Sequence, residues 1–209
     1  MKRMRFAVIL FAALALPAAA SADEGAQKFV QTEHVRLEAL LRQPATAARD
    51  GEVTKELNAM VDYEELTRRA FGHPCPPSQP KCTNHWTELT DQQKSEVAGL
   101  LKRLVEKNYK KNLIKTLDYD VTYKGQRDMG GDAKIRTEAK SKIKPRDPAV
   151  QVDYVVRPSG PGYRVVDIVT EGSSLTKNYY DQFHKMLTTP GQGYPHVVKK
   201  LNEKIAKKE

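Results

Sequence analysis

Two periodicities divide the chain. Before Tyr119, apolar residues recur every three or four positions, the spacing of helices with one buried face. From Tyr119 to Thr170 they alternate with polar residues, the spacing of strands, and after Gly172 the helical spacing returns. The helical part predicts four segments. The first spans 23–42, with Asp23 as a possible cap and Phe29, Val30, Leu37, Leu40 and Leu41 as its apolar points. After a break from Pro44 to Gly51, a second carries Val53, Leu57 and Met60. A third runs from Tyr63 to Phe71 behind Asp62 as a cap and stops at Gly72. The longest opens at Thr90, where Gln93 three residues on completes a capping box. Its stripe is Val97, Leu100, Leu101, Leu104, Val105, Leu113 and Ile114.

In the alternating part, Tyr119, Val121 and Tyr123 share one face. Gly130-Gly131-Asp132 is a hairpin turn. Ala133, Ile135, Thr137, Ala139, Ser141 and Ile143 then face inward, between lysines, an arginine and a glutamate that face water. Val150, Val152, Tyr154 and Val156 form a third strand, and Tyr163 to Thr170 a fourth. The run Val165, Val166, Ile168 and Val169 favours burial on both faces, interrupted by Asp167. A carboxylate there needs hydrogen-bond donors or a cavity wall, because burying it alone is costly. Gly172 permits a sharp turn, and Ser173 or Ser174 can cap a helix over 174–188 with Leu175, Tyr179, Phe183 and Leu187 on one face. A final amphipathic helix runs from His196 to Lys207. The plan is α+β: a curved antiparallel meander packed with helices.

Composition adds an address. Residues 1–22 read as a cleaved signal peptide: Lys2, Arg3 and Arg5, then an apolar run from Phe6 to Leu16, then Ala20-Ser21-Ala22. Residues 23–209 are expected as one mature domain in the periplasm. The chain holds 35 basic and 26 acidic residues; three of the basic ones lie in the leader, so the mature chain carries +6. That charge favours anionic surfaces. Its basic residues are not gathered with aromatics, and no nucleic-acid motif is present. Cys75 and Cys82 stand in a proline-rich stretch over residues 73–85. In an oxidising compartment they read as a disulfide; the rival is a zinc site completed by His73 and His85.

The words within these elements resemble a known family. Asp167-Ile168, Glu171-Gly172-Ser173-Ser174-Leu175 and Asn178-Tyr179-Tyr180-Asp181-Gln182-Phe183 are similar to the signature of the MlaC family of periplasmic phospholipid-binding carriers. Upstream, Val61-Asp62-Tyr63-Glu64-Glu65-Leu66, Arg68-Arg69-Ala70-Phe71-Gly72, Trp86 and Leu89-Thr90 continue the likeness in the same order. The chain departs from the family's usual form with Tyr163 for a tryptophan, Ser173 for a valine and Tyr180 for an arginine. The 73–85 loop stands as an insertion. The resemblance implies a cone-like, NTF2-related fold with a cavity between sheet and helices, phospholipid as ligand, and no catalysis. It implies an outer-membrane lipoprotein complex and an inner-membrane MCE-domain ABC transporter complex as partners of a monomeric carrier.

On that basis the inward-facing Phe71, Leu100, Leu104, Tyr109, Val121, Ile135, Val152, Tyr154, Val165, Val169, Leu175, Tyr179 and Phe183 are the candidates for a lipid-binding wall. Arg68, Arg69 and Lys177 are candidates for the lipid phosphate. The residues alone leave two other readings open. One is a pocket enzyme of isomerase or dehydratase type with Asp167 as base; the other is an interaction module with a filled core. The five histidines fit solvated or loop positions, and no catalytic or cofactor motif stands out.

Overall fold

The computed structural model describes residues 25–75, 79 and 81–207. The leader and Asp23 lie outside them, and so do the side chains of Lys111 and Leu113. Four helices precede the sheet: α1 (Gly25–Leu41), α2 (Ala47–Met60), α3 (Tyr63–Ala70) and α4 (Asp91–Thr116). The sheet is an antiparallel meander in the order β1 (Tyr119–Asp128), β2 (Ala133–Ser141), β3 (Val150–Ser159), β4 (Gly162–Thr170) and the short β5 (Ser173–Ser174). Helices α5 (Leu175–Thr188) and α6 (Gly193–Ala206) close the chain. The α+β expectation holds, with one more short strand than the alternation shows.

The caps fall where the sequence puts them. Thr90 and Gln93 form the capping box of α4, Asp62 caps α3 through Glu65 N, and Ser174 caps α5 through Lys177 N. Gly72 has φ of +80°, and a Cβ there would meet the Thr83 carbonyl oxygen at 2.5 Å and the Tyr180 ring at 2.8 Å. A bare backbone is therefore required where the Cys75–Cys82 loop leaves α3. Two apolar positions part from expectation. β2 ends at Ser141, so Ile143 lies in the following loop, 67% exposed, and Ile114 on the last turn of α4 is 53% exposed.

The main core joins Val30, Leu37, Leu57, Leu66, Phe71, Leu101, Ile135, Val156, Val165 and Phe183. At the closed end an ion network ties α3 to the β1–β2 turn and to β3. Buried Glu65 meets Arg69 at 3.0 Å, Arg68 at 3.2 Å and Arg157 at 2.6 Å, and Asp132 takes Arg69 at 2.6 Å and Arg157 at 2.8 Å. Arg68 and Arg69 are thus committed to carboxylates rather than held out for a ligand.

β4 carries a register shift: Val155 pairs with Asp167, but Val156 pairs with Val165. The extra residue, Val166, reverses the inward–outward parity of the rest of the strand. Val165 joins the main core and Ile168 packs against it, while Val166, Val169 and Val155 form a separate buried cluster.

Asp167 is 7% exposed and accepts from Ile168 N at 2.9 Å, Ser174 Oγ at 2.6 Å and Thr176 N at 3.0 Å. Its charge sits at the N-terminus of α5, where the helix dipole favours an anion. It pins the β4–α5 turn and is not poised as a base. Asp167→Asn should cost about 1–2 kcal/mol, the loss of charge from these hydrogen bonds. A denaturant melt checks the cost, and bound lipid should be unchanged in the folded fraction. Loss of lipid without loss of stability would place Asp167 in the binding site instead.

Candidate functional site: a cavity under the sheet

Between the inner face of the sheet and the helices lies a cavity of about 1070 Å³, at the top of the range for ligand pockets. Its walls are α1, the C-terminal half of α4, β1 to β4 and the start of α5. The strand positions that line it are Thr137 and Ala139 on β2, Val150 and Val152 on β3 and Thr170 on β4, with the larger Tyr119 and Tyr123 on β1, Tyr154 on β3 and Ile168 on β4. Toward the closed end the same faces carry Ile135, Val156 and Val165, which meet Phe71 and its neighbours in the packed core.

Six of the candidate wall residues come together here: Tyr109, Val121, Val152, Tyr154, Leu175 and Tyr179. The other seven do not line it. Phe71, Leu100, Leu104, Ile135, Val165 and Phe183 belong to the packed core, and Val169 lies in the separate cluster. For Val169 the reason is the β4 register shift, which puts Ile168 on the cavity wall in its place. For the six core residues the reason is depth: they face inward, but beyond the floor.

Polar groups on the walls include several absent from the sequence expectation. His34 on α1 lines the cavity, its Nδ1 2.5 Å from the Tyr123 hydroxyl and its ring edge-on to Tyr154 at 4.9 Å. Burial pushes its pKa down to about 4, against the opposing charge of Glu38, so the imidazole is neutral at neutral pH. Burial raises the phenols of Tyr109 and Tyr154, each further shifted by the other, and both stay protonated. The polar part of the lining also holds Asn108, Asn112, Asn178, the cations Lys115 and Lys142 and the carboxylates Glu38 and Asp120. Lys142 reaches Asp120 at 3.4 Å. Arg68, Arg69 and Lys177 do not line the cavity; Lys177 pairs with Asp181 at 2.6 Å. The cations on its wall are Lys115 and Lys142.

Behind α5 sits the Cys loop. Cys75 and Cys82 are bridged, with Cα atoms 5.6 Å apart. Among the described residues no group of three or more His, Cys, Asp or Glu is arranged to hold a metal ion, and the disulfide removes the zinc rival's two thiolates. The loop is fastened to α5: Thr83 N donates to the Tyr180 hydroxyl at 2.9 Å, Gln79 Nε2 to Asp181 at 2.8 Å, and His85 Nε2 lies 2.8 Å from His184 Nδ1. His85 is 4% exposed. His34, His85 and His184 are therefore structural or cavity residues, not solvated ones.

A family model described as MlaC protein matches residues 32–203. The chain belongs to the MlaC family. The match begins inside α1 and ends inside α6, so it takes in every wall of the cavity as well as the Cys75–Cys82 loop. Among solved structures, one described as the phospholipid-binding protein from Ralstonia solanacearum in complex with a phospholipid shares the fold. Its TM-score is 0.69 at 23% identity, over 87% of this chain and 97% of that one. No curated protein matches the chain. Among the described residues no helix is long and apolar enough to cross a membrane.

Proposed function

We propose that this protein is a periplasmic carrier that holds phospholipid acyl chains in the cavity. In this reading it passes lipid between an outer-membrane lipoprotein complex and an inner-membrane MCE-domain ABC transporter complex. The observation that carries the proposal is the cavity itself: about 1070 Å³, walled by Val121, Val152, Tyr154, Ile168, Leu175 and Tyr179, with its charged groups in the same lining. Burying each methylene is worth about 0.8 kcal/mol, and a bilayer offers the same gain. Exchange between the two is then close to balanced, and direction comes from partners or an energy source. The shared fold of a protein described as phospholipid-binding supports the choice of ligand. A carrier needs no reacting group. The carboxylate that a pocket enzyme would use, Asp167, is held by the N-terminus of α5.

The test is mass spectrometry of organic extracts from protein purified natively from the periplasm. Stoichiometric phospholipid is expected. Protein with no extractable lipid, and no uptake from anionic vesicles, would sink the carrier reading.

A further inference from the structure

We propose that the end of the molecule formed by the α4–β1 turn and the β2–β3 loop is a docking face for an anionic lipid bilayer. The proposal uses the carrier reading only to say why such a face would be useful; its evidence is the chemistry of the surface. The loop between β2 and β3 reads Lys142-Ile143-Lys144-Pro145-Arg146-Asp147-Pro148-Ala149, and every residue in it is exposed. It is nevertheless held in place. Lys142 N donates to the Asp118 carbonyl at 2.8 Å and Lys142 Nζ to that of Leu117 at 3.1 Å, while Lys144 N bonds to Ser141 Oγ at 3.0 Å and Asp147 N to the Lys144 carbonyl at 3.1 Å. Ile143 is therefore presented outward by a built turn, between two lysines.

The neighbouring surface has the same character. Leu117 N bonds to the Ile114 carbonyl, which brings the exposed Ile114 and its neighbour Lys115 to the turn that the loop rests on. Among the described residues five large apolar side chains stand exposed: Val35, Ile114, Val121, Met129 and Ile143. Ile114 and Ile143 belong to this end, and Val35 and Val121 line the cavity; only Met129, at the β1–β2 hairpin, lies elsewhere. Single exposed aliphatics are ordinary, but two of the five stand together on this turn and loop, and two more line the cavity that Lys115 and Lys142 also line.

Charge selects the occupant. Residues 140–147 hold four basic groups and one acidic group. Lys142 is partly neutralised by Asp120, whereas Lys115, Lys144 and Arg146 have no ion pair among the described residues. The acidic groups nearby include Asp118, Asp120 and Asp147, Glu171, whose carboxylate accepts from Gln151 N, and Glu38 in the cavity lining. Aliphatic side chains set among unpaired cations suit the boundary between acyl chains and anionic head groups. Lys115 and Lys142 belong to both the face and the cavity lining, so a lipid leaving a bilayer docked here would pass into the cavity with little exposure to water.

The test is flotation of the purified chain with vesicles of phosphatidylcholine alone or mixed with phosphatidylglycerol. Binding is expected only to the mixed vesicles and should fade as salt rises, since the attraction is screened over about 10 Å at 0.1 M. Neither Ile143 nor Lys144 lines the cavity, and both side chains are exposed, so I143D and K144E should fold and retain any bound lipid. Each should lower partitioning on the order of tenfold, because one unit of charge near the surface is worth about a fivefold change: K144E shifts the charge by two, and I143D adds an anion and removes an aliphatic contact. M129D, at the hairpin, is the control and should bind as wild type. Wild-type protein that binds neither vesicle would overturn the proposal. So would I143D and K144E floating normally, or M129D failing to the same degree. Docking lost in I143D by a chain that proves lipid-free would uphold this face while sinking the carrier reading, so the two fail separately.

Discussion

Val152→Trp should yield a folded protein that no longer carries lipid. Val152 is the third residue of β3, paired with Thr137 on one side and Thr170 on the other, and all three line the cavity. An indole added there enters empty space, so the usual cost of overfilling a packed interior, about 1–3 kcal/mol, does not apply. What it displaces is ligand. Val165→Trp is the contrasting change. Val165 is 1% exposed, sits in the main core, and its carbonyl accepts Asp62 N at 2.9 Å where β4 meets Val61. Overfilling that position should lower the melting temperature by roughly 2–4 °C for each kcal/mol lost. The check is paired: thermal melting and lipid stoichiometry on the same preparation of each variant. If Val152→Trp melts as early as Val165→Trp, or still carries a full lipid load, the cavity is not where the lipid sits.

That contrast marks the limit of what periodicity reveals. The alternation from Tyr119, the four-residue stripe of α5 and the caps at Asp62, Thr90 and Ser174 are all plain in the sequence, because each is a local preference that the fold obeys. Periodicity says which side faces inward, but not how far along an element the packing stops. Leu101, Val105 and Asn108 share one face of α4, yet Leu101 is core, Val105 borders both core and cavity, and Asn108 is cavity wall. Nor can it see a register shift, which exchanged Val169 for Ile168. A signal was present all the same. His34 stands on the stripe of Val30, Leu37 and Leu41, and Asn108 and Asn112 lie one turn apart beside Tyr109. Polar side chains set into an otherwise apolar face are what the wall of a wet cavity requires.

Glu33 and His34 should impose opposite pH dependences on stability, and removing either should unmask the other. Glu33 is 5% exposed on α1, 2.9 Å from Arg36 and beside Glu56. Burial first, then the hydrogen bond and charge of Glu56, push its pKa up to about 7, with Arg36 opposing. The folded state therefore holds this proton more tightly than the unfolded chain. Its stabilisation is fully present below the ordinary carboxylate range and is lost as pH rises through about 7. His34, pushed down to about 4, behaves in reverse: its contribution is full above the ordinary histidine range and is lost as pH falls through about 4. Differences of this size correspond to at most about 3 kcal/mol for each group. Glu33 contributes less because Glu56 competes for the proton, and His34 less because it borders the cavity. Between the two ordinary ranges the contributions oppose each other, so the wild-type curve should be flatter than that of either variant. Glu33→Gln mimics the protonated form; relative to wild type it should gain about 1–2 kcal/mol near pH 8 and almost nothing near pH 4. His34→Gln loses ring contacts at every pH, but its deficit should shrink as the pH drops from about 7 to about 4. Denaturant melts at three pH values measure both. A Glu33→Gln variant whose difference from wild type is the same at every pH would mean that Glu33 is ionised and paired with Arg36 throughout.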